Sequence, residues 1–521
     1  MRRTSLVMPL LCLLAAARAE TYRIADVAYD ITGITREYAI QNAVDIDTAR
    51  VFGSYDELQR YVQDLQQQFE NRREFESATV DAIYGDRDAE GMIPVSFRVV
   101  TKDTRNFIIF PYPKYDSNDG FILKLRMNDM NFLGTMSVMD FDVNFAIEND
   151  EDDSEKHDYA IGLNFSYDYP FKLGPFKSSW DNVFGIKYTF GSSKPEFGVS
   201  TGLSFELPFD WFSVCLSLTQ SVARDVDYAE YDDELYFTEA ASLSLPVTVA
   251  RIDGWGKVTW TPSVSYEQNW DKNGINIEND DLSSPLLTIA HRVATSRVDW
   301  IGNFRNGLSV ELGQSIGYNF QREAYIPKVW AEVMGYKAFS WVGIAGRLYG
   351  LIMHNGNEEI GGLLRGIRDN TKYHSKNPKI STKKAADVPV AFVGNIDIPI
   401  HIVTTHWDNW FVALFGEDAG ITRALRFMRF LDFELQLSPF VDFALTKNAA
   451  TGRLLSIQDG FYTGGLEVLV FPEKWRSLVI RASFGVDIGR KILKKAVPKL
   501  IDDSWRQGST YELSVGIGLH Y

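Results

Sequence analysis

The chain has 521 residues, 13% of them aromatic, and a formal net charge of −16 at pH 7. This acidic balance argues against nucleic acid as a partner. No run of 18 apolar residues follows the N-terminal region, so the sequence predicts no transmembrane helix.

The first twenty residues, MRRTSLVMPLLCLLAAARAE, have the pattern of a secretory signal peptide. Two arginines precede a short apolar core at residues 6–17, and Ala17-Arg18-Ala19 is a small-x-small cleavage signal. The core is too short to cross a membrane as a helix. We therefore predict residues 1–19 as a signal peptide. Its removal would leave Cys215 as the one cysteine, so no intramolecular disulfide is expected.

The composition of the exported chain is compatible with two kinds of β protein. With 12 Trp, 24 Tyr and 34 Phe, an exported chain of this length is typical of an outer-membrane β-barrel. A large secreted β-sandwich or propeller protein is the alternative that composition leaves open.

Residues 20–104 have the outline of a small α/β domain. The segments YRIADVAYDIT (22–32), SATVDAIYG (77–85) and MIPVSFRVV (92–100) resemble strands, and REYAIQNAV (36–44) suits a short helix. Ser54 and Glu57 form a capping box before a second, amphipathic helix. This β-α-α-β-β order in about 80 residues resembles a POTRA domain, as does the stretch NRREFESATV.

From about residue 105 the pattern changes to a period of two. In MSVMDFDVNFAI and YAIGLNFSYDYP, aromatic and aliphatic residues alternate with small, neutral or acidic ones. A soluble sandwich would expose long charged side chains on its polar face. A lipid-facing wall with a polar lumen explains both faces. We therefore predict a transmembrane antiparallel β-barrel over residues 105–521, preceded by one small α/β POTRA-like domain.

The C-terminal stretch STYELSVGIGLHY (509–521) continues this alternation to the last residue. It predicts a final strand with Tyr521 on its apolar face. Its residues Ser514, Gly516, Leu519 and Tyr521 resemble the C-terminal β-signal of outer-membrane barrels.

Several stretches together resemble the BamA/TamA superfamily of outer-membrane insertases and polypeptide translocators, the bacterial surface antigen family. YDSNDGFILKLRMNDMNFLGTMSVMDF (115–141) resembles its opening strands, and LLRGIRD (363–369) resembles its V/I-R-G-F/Y loop motif. LFGEDAG (414–420) resembles its F-x-D-x-G motif, with Phe415 one position too far from Asp418. The resemblance implies about 16 strands, while roughly 10 residues per strand plus loops allows about 14 to 18.

The resemblance implies a loop that folds into the lumen and is held by an arginine–aspartate pair. Carried over, the pair is Arg365 and Asp418, with Gly366 allowing close backbone approach and Gly361 and Gly362 turning the loop inward. A guanidinium can bind a carboxylate through two parallel hydrogen bonds. Ile367 stands where the family has an aromatic residue.

The first predicted barrel strand, FIIFPYPKY (107–115), contains Pro111 and Pro113, which cannot donate ladder hydrogen bonds. Its neighbour would be the last strand, where Gly516 and Gly518 have little side chain to pack. In the resembled family this seam is a lateral gate at which client strands are templated. The alternative is that the prolines only mark a linker.

Other motifs in the sequence carry no catalytic or metal prediction. The G-x-S-x-G match around Ser200 lies in an alternating strand rather than a nucleophile elbow. His401 and His406, five apart, suit opposite faces of a strand. The acidic run at 148–158 is predicted to be a solvated loop; a weak calcium site is the alternative, although the spacing matches no EF-hand. We expect no enzyme, no cofactor and no resident metal.

The resemblance implies a non-enzymatic outer-membrane assembly factor in a diderm bacterium, with its POTRA-like domain in the periplasm. It would receive unfolded outer-membrane protein clients and insert them through the seam, in contact with outer-membrane lipid and with periplasmic chaperones or accessory lipoproteins. A two-partner-secretion translocator is the alternative within the family, and a passive pore or surface antigen is the alternative outside it.

Overall fold

The computed structural model describes residues 20–116, 120–149, 157–225, 234–252, 255–275, 279, 282–367, 372–374, 382–384, 386–417, 420–506 and 508–521. The predicted signal peptide and most of the acidic run at 148–158 lie outside these residues. The described chain divides into two compact units. The first comprises residues 20–72 with Ser77–Lys102, and the second comprises Arg73–Glu76 with Asp103–Tyr521. Within the described part, no helix is long and apolar enough to cross a membrane.

The first unit is a four-stranded sheet with two helices. Its elements are β1 Tyr22–Thr32, α1 Glu37–Ala43, β2 Val51–Phe52, α2 Tyr55–Glu70, β3 Phe75–Tyr84 and β4 Ile93–Asp103. The strand order is β2-β1-β4-β3, with β1 and β4 parallel. This follows the predicted β-α-α-β-β outline, with the two-residue β2 added.

The second helix of this unit begins as the sequence indicates. The Ser54 side chain accepts a hydrogen bond from Glu57 N, and the Glu57 carboxylate accepts one from Gly53 N at 3.0 Å. These bonds satisfy backbone donors that a helix start leaves unpaired. The apolar face of α2 is buried through Leu58, Leu65 and Phe69.

The second unit is dominated by one large antiparallel sheet. Its strands are β5 Phe107–Asp116, β6 Gly120–Asp129, β7 Met139–Asn149, β8 His157–Leu173, β9 Phe176–Thr189, β10 Glu196–Pro208, β11 Ser213–Arg224, β12 Leu235–Ser244, β13 Val247–Ile252, β14 Gly256–Asp271, β15 Leu286–Ile301, β16 Phe304–Asn319, β17 Ala324–Ala338, β18 Gly343–Met353, β23 Val390–Asp397, β24 Ile400–Thr404, β25 Phe433–Thr446, β26 Phe461–Pro472, β27 Ile480–Asp487 and β28 Tyr511–Ile517.

Shorter elements occupy the connections. Four short strands lie between β18 and β23: β19 Glu358–Glu359, β20 Lys372–His374, β21 Thr382–Lys384 and β22 Asp387–Val388. The helices are α3 Trp407–Phe415, α4 Gly420–Ala424 and α5 Lys494–Ala496, with 3-10 turns at Phe132–Gly134, Gly361–Leu363, Arg426–Leu431 and Ile457–Asp459 and a π turn at Gly489–Leu493.

The strands of the large sheet pair in chain order. Both β12 and β13 pair with β14, and both β23 and β24 pair with β25, so the twenty segments occupy eighteen positions in the described chain. Eighteen exceeds the number of about 16 that the resemblance implies and falls within the range that the periodicity allows.

The two end strands of the large sheet, β5 and β28, lie side by side with little registered pairing among the described residues. The pair Leu513 and Tyr115 joins β28 to β5, whereas β5 and β6 share ten registered pairs and β27 and β28 share seven. We call this junction the seam. In the part of the chain that the structure describes, one registered pair joins the two strands there, in place of a continuous ladder.

The two faces of the sheet differ as the alternation predicts. On β8, Tyr159 and Ile161 are 47% and 46% exposed, while Ala160 between them is fully buried. The outer face carries exposed large apolar residues along most strands, such as Ile289, Leu312 and Ile316. We call the opposite face the inner face. A band of exposed apolar side chains of this extent marks a surface that contacts something other than water.

The prediction for the C-terminus is wrong in its last residues. Strand β28 ends at Ile517, and Gly518 has a positive φ of 83° that turns the chain. Tyr521 therefore leaves the outer face: its hydroxyl donates to Ala345 O at 3.3 Å, and its carbonyl accepts from Arg305. The alternation continues in the sequence beyond the point where the backbone stops following it.

Candidate functional site

The loop between β18 and β23 carries the R-G motif and lies against the inner face. At its base, β19 pairs with β22, and Ile360 N donates to Ala386 O at 2.9 Å. Ile360, Leu364 and Ile367 are each at most 1% exposed. They pack in a cluster with inner-face residues, namely Tyr349, Leu351, Ala391, Val393, Ala444 and Phe461. Ile367 thus fills a packed apolar site without an aromatic ring.

The Arg365 guanidinium is bound by two aspartates from different strands. Its Nε donates to Asp442 Oδ2 at 2.9 Å and its Nη2 to Asp442 Oδ1 at 2.6 Å. Nη1 and Nη2 also donate to the two carboxylate oxygens of Asp397, at 2.5 and 3.3 Å. Two bidentate pairs of this kind fix the orientation of the side chain as well as its position.

Further groups complete the surroundings of Arg365. Its backbone N–H donates to Asp442 Oδ2 at 3.0 Å, its Nη1 lies 3.3 Å from Glu467 Oε1, and its Cζ lies 3.8 Å above the Phe440 ring. We call Arg365, Asp397, Asp442 and Glu467 the Arg365 cluster. Asp442 is 0% exposed and Arg365 5%, so each charge depends on the others for compensation.

The pKa of Arg365 reflects these neighbours. Burial alone would lower the pKa of Arg365. The hydrogen bond to Asp442 and the charges of Asp442, Asp397 and Glu467 together raise this pKa by more than burial lowers it, so the net shift is upward. The guanidinium therefore stays charged.

Gly366 holds the loop against the last two strands. Its φ is +91°, and an added Cβ would lie 2.8 Å from Gly485 C on β27. In turn, a Cβ on Gly485 would lie 2.7 Å from Gly366 Cα. The Gly366 N–H donates to Glu512 Oε2 on β28 at 3.0 Å. Only glycine at both positions allows this backbone-to-backbone approach.

The neighbouring carbonyl, Leu363 O, is held from two sides. It accepts a hydrogen bond from Asn395 Nδ2 at 2.7 Å, and His520 Nε2 lies 3.4 Å away. Burial, with the Arg365 and Arg481 charges nearby, lowers the pKa of His520 to about 2. The imidazole is therefore neutral, and the His520 side chain contacts the loop without adding a positive charge.

Asp418, the predicted partner of Arg365, lies outside the described residues. Four of the five guanidinium N–H groups are already bonded to Asp397 and Asp442, and Nη1 also faces Glu467. The sequence did contain a signal for Asp442, because Phe440 and Asp442 have the F-x-D spacing that Phe415 and Asp418 lack.

The turn residues of the loop differ in part from expectation. Gly366 has the positive φ, whereas Gly361 belongs to the 3-10 turn Gly361–Leu363. Gly362 lies in the same turn and has open space at its Cβ position.

The predicted seam residues lie on the two strands that meet at the seam. Pro111 and Pro113 are inside β5, so they do not merely mark a linker. The β5–β6 ladder runs unbroken through both prolines, so their missing donors lie on the opposite edge, towards β28. Gly516 pairs with Arg481 on β27, and Gly518 ends β28.

The remaining β-signal residues are held by β27 and by the sheet near it. Ser514 pairs with Ser483 on β27. Leu519 packs against Leu469, Phe471 and Val479. Leu519 and Tyr521 both lie beyond the end of β28 at Ile517 and so depart from the predicted strand.

The structure describes the surroundings of Ser200 and His406, two residues to which the sequence assigns no catalytic or metal role. Ser200 lies within β10, as expected for a strand residue. Among the described residues, one ligand atom each of His406, Asp432 and Glu473 lies within 4.8 Å of the others. His406 and Glu473 are not buried, and Asp432 Oδ1 already accepts from Trp407 N. The absence of a resident metal stays a prediction.

Comparisons with known proteins give structural neighbours and no sequence relatives. No protein-family model and no curated protein matches the chain. CdiB from Acinetobacter baumannii is similar over 95% of this chain and 73% of that chain, with a TM-score of 0.47 and 11% identity. BamA from Haemophilus ducreyi lacking POTRA domains 1–3 is similar over 95% and 85%, with a TM-score of 0.38 and 12% identity.

CdiB from Escherichia coli is similar over 97% of this chain and 91% of that chain, with a TM-score of 0.39 and 7% identity. BamA is one of the two proteins after which the resembled family is named. At these identities and TM-scores, function has to be inferred from the residues of this chain.

Arg365→Ala should lower the free energy of unfolding in liposomes by about 3–5 kcal/mol, because it leaves buried carboxylates uncompensated. In a double-mutant cycle with Asp442→Asn, the two losses should be non-additive by about 0.5–3 kcal/mol. Urea unfolding measures both.

Arg292→Ala is the control, because that arginine is 53% exposed in its pair with Glu311. This substitution should lower the free energy of unfolding by about 1 kcal/mol or less. Additive losses would mean that Arg365 and Asp442 do not interact, and a parallel cycle with Asp418→Asn tests the sequence-based pair.

Gly366→Ala should destabilise the protein by about 1–3 kcal/mol, because the new Cβ meets the β27 backbone and the φ is positive. Gly362→Ala is the matched control, with no atom within 4 Å of its Cβ position, and should be nearly neutral. The same unfolding measurement compares them. Equal effects of the two substitutions would contradict the close approach of the loop to β27.

Proposed function

We propose that this chain is a non-enzymatic outer-membrane protein assembly factor. In this proposal residues 20–104 form a periplasmic POTRA-like domain and residues 105–521 a transmembrane barrel. The barrel receives unfolded β-barrel clients and inserts them into the outer membrane through the seam. Because the described residues suggest no nucleotide site, the driving force is the burial of the clients' own apolar surface in lipid.

The weak seam is the observation that carries this proposal. One registered pair joins β5 to β28, beside ladders of ten and seven pairs. Backbone groups left unpaired in lipid cost several kcal/mol each. A client strand that pairs with the free part of either edge satisfies those groups, which is strand addition at a sheet edge.

The outer face supports the membrane location. Exposed aromatic residues lie at the turns on the end of the sheet at which β5 begins, including Phe209 and Trp211 in one turn and Phe339 and Trp341 in another. Aromatic residues at the ends of an apolar band are typical of barrels that span the outer membrane. In the proposal, this end faces the periplasm.

The loop supports an asymmetric seam. Gly366 binds Glu512 on β28 and packs on Gly485 of β27, so β28 is held from inside the barrel. Loss of its contact with β5 therefore leaves β28 in place, as a template for a client strand.

A polypeptide translocator remains the second candidate. A recess of about 530 Å³ lies on the inner face, and its lining includes the polar side chains of Arg126, Asp140, Asp142 and Ser200. A translocated segment would need such a polar lining along its path.

The test is reconstitution into liposomes with an unfolded barrel client and a lockable seam. In a Cys215→Ser background, Leu513→Cys with Tyr115→Cys places a cysteine pair at the seam, at a Cα separation within disulfide range. Client folding, followed by heat-modifiable mobility, should be faster than in empty liposomes. Oxidation should abolish the acceleration and reductant should restore it.

The matched control places cysteines at Ile109 and Met127, a registered pair of the intact β5–β6 ladder, where oxidation should have no effect. If the unlocked protein folds clients no faster than empty liposomes, the insertase proposal is wrong. Conductance alone would favour a pore, and passage of the polypeptide into the vesicle would favour a translocator. Acceleration that survives the lock would exclude the seam as the route.

A further inference from the structure

The connection between β24 and β25 is fixed at its base, where residues 405–407 meet residues 431–433. Thr405 N donates to Phe433 O at 2.9 Å, and Phe433 N donates to the Thr405 hydroxyl at 2.8 Å. Trp407 N donates to Asp432 Oδ1 at 2.9 Å, and its indole Nε1 to Leu431 O at 3.2 Å. These bonds bring the two ends of the connection together. The described residues between them, 407–417 and 420–431, extend from this stem, and we call them the rim segment.

The rim segment leaves an unusual number of large apolar side chains uncovered. None of the residues of α3 is buried. Seven large apolar residues of the segment are at least 38% exposed: Trp410, Val412, Leu414, Phe415, Ile421, Phe427 and Leu431. Leu414 reaches 72%. A group of this size on one short segment indicates that something other than water covers it.

The position of the segment indicates what covers it. A bridge between Val342 and Ile400 places the turn at 339–342 beside β24, at the end of the sheet from which the rim segment extends. Trp341 of that turn is 60% exposed, and Ile402 on β24 is 48% exposed. The segment therefore leaves the sheet beside exposed apolar residues of the outer face, at its aromatic border.

The polar residues of the segment fit the same surface. Its exposed arginines, Arg423 and Arg429, lie among the exposed apolar residues. Trp407 packs edge-on against Trp410 at 5.2 Å between centroids. Tryptophan and arginine beside exposed Leu and Phe are the residues of segments that lie at a lipid headgroup boundary, where an indole or a guanidinium meets phosphate and an aliphatic chain meets acyl chains.

We propose that the rim segment lies in the bilayer interface beside β24 and β25, with its apolar side chains in the acyl region and its arginines at phospholipid headgroups. The inference rests on the proposed membrane-spanning role of the large sheet. It adds a lipid-binding element that the strands alone do not supply. Such an element fixes the depth of the protein on this side of the sheet.

The test uses nitroxide labels in the full-length protein reconstituted in vesicles of phosphatidylethanolamine and phosphatidylglycerol. In a Cys215→Ser background, Leu414→Cys and Asn409→Cys are labelled one at a time. Both positions are exposed on α3, and their spacing of five residues places them on different sides of the helix. Power saturation with oxygen and with a water-soluble nickel chelate then reports which solvent each label meets.

A label at 414 should be relaxed more by oxygen, which concentrates in lipid, and a label at 409 more by the nickel chelate. The same preparation is tested for heat-modifiable mobility, which reports the folded sheet independently of the segment. If the sheet is intact and the chelate reaches position 414 as readily as position 409, the proposal is wrong. Protection of position 414 from both reagents would also contradict it, because the segment would then be covered by protein.

Discussion

The buried Arg365 guanidinium is the contact on which the arrangement of the loop and the surrounding strands depends. It compensates Asp397 on β23 and Asp442 on β25 and faces Glu467 on β26. Without it, three carboxylates would face one another in a site shielded from water, which is costly unless a cation is bound there. One side chain from the loop thus makes the acidic inner wall compatible with a folded protein.

The next residue extends this constraint to the seam. Gly366 follows Arg365 directly, so the position of the guanidinium sets where the glycine backbone meets β27 and where its N–H reaches Glu512 on β28. The last strand is thereby attached firmly on one side, through β27 and the loop, and weakly on the other, through one pair with β5. An edge strand that is held in place but left partly unpaired is suited to receiving another strand.

Local patterns in the sequence predicted much of this structure. The features that they did not predict depend on which residues pair across strands that are far apart in the chain. The period of two predicted the strands and the residues on each face. The R-G motif identified Arg365 and Gly366, two loop residues that contact the surrounding strands. The aspartate that binds Arg365 could not be chosen reliably, because it depends on the register of strands far apart in the chain. Phe440 and Asp442 had the better spacing, and Tyr521 was misplaced because a single positive φ at Gly518 ends the alternation.

Hydrogen–deuterium exchange of the reconstituted protein tests most directly whether the Arg365 cluster holds the last strand beside a weak seam. Strand β16, with sixteen registered pairs on one side and thirteen on the other, is the internal reference. The account predicts that amides of β5 exchange faster than those of β16, and that Arg365→Ala accelerates exchange in β28 while leaving β16 unchanged. Protection of β5 equal to that of β16, or no response of β28 to the substitution, would contradict it.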